Sequence, residues 1–316
     1  MATKRKGINL VPRQNNTTIP ETLGTARRAG RFEPQSPEWH ELRQTGVGGS
    51  EVAAVVGCSP WKSAFTLWAE RTKKVERERV ENDSVEWGVR LEPVILQKFA
   101  DNHPEFRLHS DVGSWSHKDR PWQITNPDGI FETADGEFGI LEVKTAAYED
   151  DWKEYSGREW TYAVPVYYRT QVQWYLQTFG FKKAIVAVLF AGRKYIEIEL
   201  EADEFEQETN LAAVEKFRQH VAENKQPEWD GSTSTLETVR KLHPQIDDTE
   251  VELGELGLAY FHAVNALEGA EKVANEMKSR VLDAMGRAKR GLIYDVWTYS
   301  RTSRSGGTPY LTTKRN

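Results

Sequence analysis

Apolar residues recur every three or four positions along several stretches of this chain, a period typical of helices that bury one face. Seven stretches show it: residues 38–43, 51–56, 64–72, 84–101, 165–179, 203–224 and 249–287. Three of the predicted helices follow a serine that can cap a helix start, namely Ser36 (with Pro37 next), Ser50 and Ser63. The sequence therefore predicts several helices with defined starts.

The apolar stripes of two predicted helices indicate which side chains should face a core. In the helix at 84–101 the stripe consists of Val85, Val89, Leu91, Ile95, Leu96 and Phe99. In the helix at 165–179 it consists of Tyr168, Val172, Tyr175, Leu176 and Phe179. We expect both stripes to be buried.

Shorter apolar runs bounded by turn residues predict strands. They cover residues 107–116, 122–128, 129–133, 138–145, 183–191 and 194–200, the last two joined by a turn at Gly192-Arg193. A further small hairpin is expected within 291–312, turning near Ser305-Gly306-Gly307. The order of the elements predicts an α/β fold with a mixed central β-sheet flanked by helices.

The same pattern divides the chain into three parts. Residues 1–33 are polar and basic and predict a largely disordered or extended arm. Residues 34–230 hold the predicted strands of the central sheet and form the expected core domain. Residues 227–235 are mostly Pro, Asp, Gly, Ser and Thr, which indicates a linker. Residues 231–316 are expected to form a helical extension that ends in the small β-hairpin.

Composition excludes several classes of protein. With 316 residues and 38% hydrophobic content, the chain can bury a substantial core. No apolar run approaches the roughly 20 residues needed to span a bilayer, and none follows the basic start, so we expect neither a membrane segment nor a signal peptide. Cys58 is the only cysteine, which excludes a disulfide framework and a cysteine-based zinc or iron–sulfur site. We expect a cytoplasmic protein.

The net charge of −6 is unevenly distributed. Residues 1–31 carry seven Lys and Arg against one Glu, and residues 270–316 carry ten against four acidic residues, so each end is +6 and the middle is −18. Basic ends can contact phosphates. They can equally be solvated tails with no binding role.

One pair of predicted strands places chemically active side chains together. Asp128 follows a proline at the entry to the strand at 129–133. Glu142 and Lys144 lie two apart in the next strand, so their side chains share one face. A hairpin that joins the strands brings Asp128 beside Glu142. Converging carboxylates repel each other unless a cation lies between them, and oxygen ligands favour Mg²⁺ or Mn²⁺. The alternative is a surface strand with an exposed Glu–Lys pair.

The Asp…Glu-x-Lys pattern of these residues resembles that of the PD-(D/E)XK nucleases. The resemblance implies that Asp128 and Glu142 hold the metal ion and that the backbone carbonyl of Val143 completes its shell. It also implies that Lys144 holds the attacking water or helps to deprotonate it. The expected cofactor is Mg²⁺, with Mn²⁺ as a substitute, as one ion or two.

A further segment is similar to the lambda exonuclease and YqaJ-like viral recombinase family within the same superfamily. It covers residues 39–43 and 46–57. The resemblance assigns Arg43 and Ser50 to the 5′-terminal phosphate, and a guanidinium group beside a helix start suits an anion. The plainer alternative is a turn followed by a helix cap.

Two more segments follow in the family's order. In residues 86–93 the resemblance makes Glu92 a third carboxylate that faces the metal, and the alternative is an ordinary surface glutamate. In residues 168–176 it places Gln171 close to the nucleophilic water, where it orients water or the scissile phosphate. Gln173 cannot share the helix face of Gln171, since residues two apart point about 200° from each other. Trp61 can stack on a terminal base or lie buried in the core.

These segments identify residues 36–200 as similar to this family, which implies a Mg²⁺-dependent deoxyribonuclease. The resemblance favours a 5′→3′ exonuclease that acts on double-stranded DNA ends and leaves 3′ single strands for recombination. A structure-specific endonuclease, a RecB-like nuclease of another polarity and a non-catalytic DNA-end-binding recombination protein are the alternatives. The expected partners are DNA ends, a single-strand annealing protein and further copies of the chain, as a trimer. If a phage encodes the chain, it acts in the host cytoplasm.

Overall fold

The computed structural model describes residues 19–32, 36–78, 82–155, 157, 159–294, 297–303 and 307–315. The helices within these ranges are α1 (Pro37–Thr45), α2 (Gly49–Val55), α3 (Ala64–Arg71), α4 (Asp83–Asn102), α5 (Val166–Phe179), α6 (Glu204–Ala222), α7 (Thr233–Leu242) and α8 (Gly254–Met285). The strands are β1 (Thr22–Leu23), β2 (Ala26–Gly30), β3 (Val47–Gly48), β4 (Arg107–Ser110), β5 (Ser114–His117), β6 (Arg120–Thr125), β7 (Gly129–Glu132), β8 (Phe138–Ala146), β9 (Lys153–Tyr155), β10 (Trp160–Tyr162), β11 (Lys183–Phe190), β12 (Lys194–Glu201), β13 (Arg290–Ile293), β14 (Trp297–Thr302) and β15 (Tyr310–Arg315). The chain divides into two compact units, one ending at Pro244 and the other beginning at Gln245. None of the described helices is long and apolar enough to cross a membrane.

The first unit is built on a central sheet with the strand order β12-β11-β8-β7-β4. β11 runs parallel to β8, and the other neighbouring pairs are antiparallel, so the sheet is mixed, as the sequence predicts. Alternate residues of β8 face opposite sides. Leu141 and Val143 pack in one cluster with Phe99 of α4, whereas Ile140 packs in the other cluster with Val172 of α5. Helices α4 and α5 therefore cover the two faces of the sheet.

A second five-stranded sheet has the order β1-β2-β5-β6-β3. It corrects the prediction that residues 1–33 form a largely disordered or extended arm, because β1 and β2 lie within that segment and Ile19, Leu23 and Ala26 are buried. Arg28 of β2 donates to the carbonyl oxygens of Ile19 and Val112. The apolar pattern did not predict these strands, because the segment has few apolar residues and many polar residues lie between them. Residues 1–18 of the predicted arm lie outside the described residues.

The predicted strand at 107–116 is two strands in different sheets. β4 pairs with β7 in the central sheet, and β5 pairs with β2 and β6 in the second one. The chain turns between them at Asp111 and Gly113, whose φ angles are 54° and 78°. Glycine adopts such angles readily and aspartate more readily than most residues, so these two positions end one strand and redirect the chain.

Two of the three predicted serine caps are confirmed. Ser36 accepts a hydrogen bond from the backbone N–H of Trp39, and Ser63 accepts one from Thr66. The predicted Ser50 cap is wrong, since α2 already begins at Gly49. Residue 48 is a glycine without a side chain that could cap the helix.

The apolar stripe predicted for α4 is only partly buried. Ile95, Leu96 and Phe99 are buried under the central sheet, whereas Val85 and Val89 are exposed. The stripe was therefore wrong for the first two turns. Periodicity reports which side of a helix is apolar, but it does not report where along the helix the neighbouring sheet ends.

The linker predicted at 227–235 contains the start of α7, with Ser232 as its cap. Helix α7 packs on α3, where Thr66 Oγ1 lies 2.7 Å from Thr238 Oγ1 and Ser63 Oγ accepts a hydrogen bond from Thr235. In the second unit, β13, β14 and β15 form an antiparallel three-stranded sheet. The predicted terminal hairpin thus has one strand more, and its turn residues Ser305 and Gly306 lie outside the described residues.

Candidate active site

The register of β7 and β8 brings two acidic side chains together. Gly129 lies opposite Leu141 in the ladder, so Asp128 and Glu142 come next to each other where β7 begins. The backbone N–H of Val143 donates a 2.7 Å hydrogen bond to Asp128 Oδ2. The N–H and C=O of one strand residue point to the same side, so the Val143 carbonyl also faces Asp128. The predicted hairpin geometry is present.

Glu142 is more deeply buried than Asp128, with only 2% of its surface exposed. Its Oε1 atom accepts hydrogen bonds from Lys144 Nζ at 2.5 Å and from Gln171 Nε2 at 2.6 Å. Its Oε2 atom is buried and has no hydrogen-bond partner among the described residues. A buried carboxylate oxygen without a partner is unfavourable unless a donor or cation reaches it.

Glu92 on α4 completes a set of three carboxylates. Burial and the nearby charge of Asp128 raise the pKa of Glu92 to about 7. Burial and the charge of Asp128 likewise raise the pKa of Glu142 to about 8, and burial raises the pKa of Asp128. The raised pKa values mean that the three groups are not all ionised near neutral pH, and a cation among them would favour their ionised forms.

Lys144 is the cation within this group. Burial by itself lowers the pKa of its ammonium, but Glu142 and Asp128 outweigh burial and raise the pKa to about 12. Its Nζ also lies 4.9 Å from the ring centroid of Tyr168. Lys144 is one ammonium group beside three carboxyl groups. It cannot by itself balance the charge of all three when they are ionised.

The donor set agrees in kind with a hard divalent cation. Glu92, Asp128, Glu142 and the carbonyl of Val143 all offer oxygen, which Mg²⁺ and Mn²⁺ prefer. As the side chains stand, the described residues contain no group of three or more Asp, Glu, His or Cys that encloses a metal position. Lys144 occupies Glu142 Oε1, and the Val143 N–H occupies Asp128 Oδ2. Metal binding therefore requires some of these side chains to move. Glu142 Oε2, which has no hydrogen-bond partner among the described residues, is the oxygen available as a metal ligand.

Gln171 and Gln173 of α5 face opposite sides, as helix geometry requires. Gln171 Nε2 reaches Glu142 and also the hydroxyl of Tyr175, at 2.9 Å. Gln173 points away and bonds to the carbonyl of Glu201 and the backbone N–H of Asp203. Only Gln171 lies in the carboxylate group.

Arg43 and Ser50 form a second cluster on α1 and α2. Arg43 Nη2 donates a 2.7 Å hydrogen bond to Ser50 Oγ, and the guanidinium stacks on the ring of Trp39 at 4.5 Å. Arg43 is buried, Ser50 is exposed, and Arg43 Nε has no hydrogen-bond partner among the described residues. The cluster thus joins an exposed hydroxyl to a buried cation with an unused donor.

Glu51 was not singled out by sequence, although it anchors this cluster. It accepts hydrogen bonds from the backbone N–H of Gly48 and from Arg71, and lies 3.9 Å from Arg43 and 3.8 Å from Arg77. Burial raises the pKa of Glu51, but the three arginines outweigh it and lower the pKa. Three guanidinium groups around one carboxylate leave net positive charge. A glutamate three positions after a glycine helix start is the sequence signal that could have revealed it.

Tyr175 connects the two clusters, a role that its position in an apolar stripe did not reveal. Its hydroxyl accepts from Gln171 and donates to the carbonyl of Asn126 at 3.2 Å. Its ring packs on Gly49 at the start of α2, where a Cβ would lie 2.4 Å from Tyr175 Cε1. The helix that carries Ser50 therefore approaches the carboxylate group closely only because residue 49 has no side chain.

Trp61 is 64% exposed, which excludes the core position that the sequence allowed. Its ring packs on Tyr167 and Tyr168, with centroids 4.9 and 5.8 Å apart. Since Tyr168 also contacts Lys144, this aromatic group borders the carboxylates. Stacking of Trp61 on a DNA base stays a prediction.

Comparison with known proteins shows which family this chain resembles. Residues 38–182 match the model of the YqaJ-like viral recombinase domain. The YqaJ protein of Bacillus subtilis (strain 168) is 27% identical over 274 residues, which cover 84% of this chain and 83% of that protein. Protein D345L of African swine fever virus (isolate Tick/Malawi/Lil 20-1/1983) is 24% identical over 167 residues, 45% of each chain. The crystal structure of an alkaline exonuclease (LHK-Exo) from Laribacter hongkongensis superposes with a TM-score of 0.47 and 18% identity, covering 60% of this chain and 94% of that one. The sequence matches thus confirm the predicted similarity of this chain to the YqaJ-like viral recombinase family.

Proposed function

We propose that this protein is a Mg²⁺-dependent deoxyribonuclease that degrades one strand of duplex DNA from a 5′ end and leaves a 3′ single strand for recombination. The observation that carries the proposal is the convergence of Asp128, Glu142 and Lys144, where one buried oxygen of Glu142 has no hydrogen-bond partner among the described residues. The match of residues 38–182 to a viral recombinase domain supports DNA as the substrate.

The metal would be held by Asp128, Glu142, Glu92 and the carbonyl of Val143, as one Mg²⁺ ion or two, with Mn²⁺ as a substitute. When bound, a divalent ion lowers the pKa of water and offsets the charge that develops on the phosphate. The three carboxylates carry the charge that such an ion would neutralise, which supports this assignment.

Lys144 and Gln171 would serve the attacking water and the scissile phosphate. Both side chains donate to the same oxygen of Glu142, so their polar hydrogens converge on one point. A phosphate oxygen or a water that takes the place of Glu142 Oε1 would meet one ammonium and one amide donor. Such fixed donors stabilise negative charge as it develops in a transition state.

Arg43 and Ser50 would bind the 5′-terminal phosphate and so set the polarity of cleavage. A terminal phosphate carries more negative charge than a phosphodiester. The cluster offers it an exposed hydroxyl, an arginine whose Nε–H has no partner among the described residues, and a net positive environment. The packing of Tyr175 on Gly49 keeps this cluster beside the carboxylates, which supports release of short products from the end.

The test is digestion of a 5′-phosphorylated linear duplex by the full-length protein with Mg²⁺. We expect products that disappear with EDTA and return when Mg²⁺ is restored. Lys144→Ala should lower the rate at least about 100-fold with DNA binding retained. The matched control Lys153→Ala removes another partly buried lysine and should leave the rate unchanged. Full activity of Lys144→Ala overturns the proposal.

Substrate choice separates the remaining alternatives. Cutting of covalently closed circular DNA identifies an endonuclease, and a label at the 5′ or the 3′ end reports the polarity. DNA retained at its ends without any product, with or without Mg²⁺, identifies a non-catalytic end-binding protein. The same proposal includes an annealing protein that takes up the 3′ strand and a trimeric ring of this chain around DNA. It also includes action in the host cytoplasm.

Metal binding has a readout that does not depend on activity. Calorimetric titration with Mn²⁺ should show binding to the wild-type protein and a loss of at least about tenfold in affinity for Glu142→Gln and Asp128→Asn. Asp135→Asn, in the exposed turn between β7 and β8, is the matched control and should bind like the wild type. Equal affinity in all three variants contradicts the assignment.

A further inference from the structure

Helix α8 has 32 residues, all of them described, and none is buried. Apolar side chains along it are strongly exposed, including Leu256 (72%), Tyr260 (73%) and Leu267 (61%). Most helical stability in proteins comes from packing of an apolar face against a neighbour. At 1.5 Å per residue α8 is about 48 Å long, so it presents an unusually extended surface of this kind.

The apolar residues of this helix follow a seven-residue repeat. Alternating steps of three and four give the α8 stripe, which consists of Leu253, Leu256, Tyr260, Ala263, Leu267, Ala270, Ala274, Met277, Val281 and Ala284. A strict repeat of this length is the signature of a coiled coil rather than of a helix lying on a sheet. Other large apolar residues of α8 lie off the stripe, with Leu258 and Phe261 on the opposite side of the helix; the rest are Val264, Val273, Leu282 and Met285.

We propose that the α8 stripe pairs with the α8 stripe of a second copy of this chain as an antiparallel coiled coil. The sizes of the stripe residues indicate that the two helices run antiparallel. Large residues dominate the first half and alanines the second half. Antiparallel pairing about the centre of the stripe, between Glu268 and Gly269, sets each large residue against a smaller or flexible one: Leu253 with Ala284, Leu256 with Val281, Tyr260 with Met277 and Leu267 with Ala270. Ala263 then faces Ala274, and no layer is overfilled.

Charge selects the same orientation independently. The start of the helix and the residues just before it are acidic, with Glu250, Glu252 and Glu255 and no Lys or Arg between residues 250 and 271. The end of the helix and the residues just after it are basic, with Lys278, Arg280, Arg287, Lys289 and Arg290 against Asp283. Antiparallel pairing brings each acidic start to the basic end of the other copy, whereas parallel pairing brings like charges together. A second copy therefore matches α8 in length, repeat, side-chain size and charge.

This pairing does not depend on the proposed nuclease activity. It is a two-fold contact, and it uses residues of the second unit only. A three-fold ring of the kind implied by the family resemblance would need a different surface, so both contacts can exist in one assembly of six copies. The mass of the assembly shows whether α8 pairs, because pairing doubles the number of copies.

Light scattering of the full-length protein after gel filtration measures that mass. We expect an even number of copies for the wild type, two or six, and half that mass for Leu267→Asp, which places a charge in the stripe. Leu258→Asp, on the other side of the same helix, is the matched control and should keep the wild-type mass. Circular dichroism checks that both variants fold. An odd number of copies in the wild type, or a mass that Leu267→Asp leaves unchanged, overturns the proposal.

Cysteine cross-linking tests the orientation in a Cys58→Ser background. Two protein preparations, one carrying Leu253→Cys and the other Ala284→Cys, should form a disulfide-linked dimer when mixed and oxidised. Leu253→Cys alone should not cross-link, because its copies lie at opposite ends of an antiparallel pair. Efficient cross-linking of Leu253→Cys with itself indicates parallel helices and contradicts the proposal.

Discussion

The side-chain amide of Gln171 on α5 donates a hydrogen bond of 2.6 Å to Glu142 Oε1 on β8. The same nitrogen lies 2.9 Å from the hydroxyl of Tyr175, which holds the amide in place. Helix and sheet are therefore connected at the carboxylate that lies deepest in the site. Gln171 and Lys144 both donate to Oε1 of Glu142. Its other oxygen, Oε2, has no hydrogen-bond partner among the described residues.

The first prediction concerns this hydrogen bond. Gln171→Ala removes the donor that orients Glu142, so we expect DNA cleavage to slow about 10- to 100-fold, as for other groups that orient metal ligands. Binding of DNA ends should change little. The measurement is single-turnover digestion of linear duplex, with a gel-shift assay of the same DNA.

Gln219→Ala is the matched control for Gln171→Ala. Gln219 lies on α6 and donates to exposed Glu223, away from the carboxylates. We expect wild-type rates from this variant. Equal rates for all three proteins would show that Gln171 has no part in cleavage.

The second prediction concerns the preference for a phosphorylated end. Ser50 is exposed, so Ser50→Ala should fold normally and remove one hydroxyl beside Arg43. We expect the advantage of a 5′-phosphate over a 5′-hydroxyl end to fall roughly tenfold, the equivalent of one hydrogen bond to a charged group. The measurement compares initial rates on the two duplexes.

Ser59→Ala serves as the control for Ser50→Ala. Ser59 accepts hydrogen bonds from the backbone N–H groups of Trp61 and Lys62 in a turn, so its loss affects local structure without removing a group beside Arg43. The ratio of the two rates should stay at the wild-type value. A ratio unchanged in Ser50→Ala would remove Ser50 from the phosphate site.

The third prediction concerns the contact between Gly49 and Tyr175. A Cβ at residue 49 would lie 2.4 Å from Tyr175 Cε1, and the ring is enclosed in the core, so Gly49→Ala should lower the free energy of unfolding by about 1–3 kcal/mol. Gly88→Ala is the matched control, since its Cβ would meet only Thr145 Oγ1 at 3.7 Å. That variant should be as stable as the wild type or up to about 1 kcal/mol more stable. Urea unfolding measures both, and equal effects of the two changes would contradict the clash.

The sequence predicts the part of the site that depends on local geometry. The alternation along β8 and the tight turn after β7 are enough to bring Asp128 to Glu142, because strand register follows from the chain within a hairpin. The same holds for Gln171 and Gln173, whose opposite directions follow from the helical period alone. Motif resemblance added Glu92, which no local rule could place near the sheet.

What the sequence did not predict depends on contacts between distant elements. Glu51 becomes the centre of an arginine cluster only because α3 brings Arg71 to α2. Tyr175 belongs to an apolar stripe, and nothing in the stripe indicates that its hydroxyl bonds Gln171 and the Asn126 carbonyl. Strand β2, which pairs with β1, is stabilised by pairing with β5, which lies about 90 residues away in the chain. Such contacts leave no periodic signal.

The fourth prediction concerns the pH dependence of stability at His103. Its ring nitrogens lie 2.5 Å from Glu197 Oε2 and 3.0 Å from Glu105 Oε1, and the ring stacks on Phe106. Burial lowers the pKa of His103, but the hydrogen bonds to the two carboxylates outweigh it and raise the pKa. Burial raises the pKa of Glu197, and its hydrogen bonds, first of all to His103, outweigh that and lower the pKa. The group is thus an ion pair when both residues are charged.

The sign of the effect follows from the two directions. Stability from His103 is fully present below its unfolded pKa of about 6.5 and is lost as pH rises through the higher folded pKa. Stability from Glu197 is present above its unfolded pKa of about 4.3 and is lost as pH falls through the lower folded pKa. His103→Gln should therefore lower the free energy of unfolding most near pH 5.5, by about 1 kcal/mol more than at pH 9. Urea unfolding at the two pH values measures it, with His243→Gln as the control. A loss of equal size at both pH values would mean that His103 contributes through stacking on Phe106 and not through its charge.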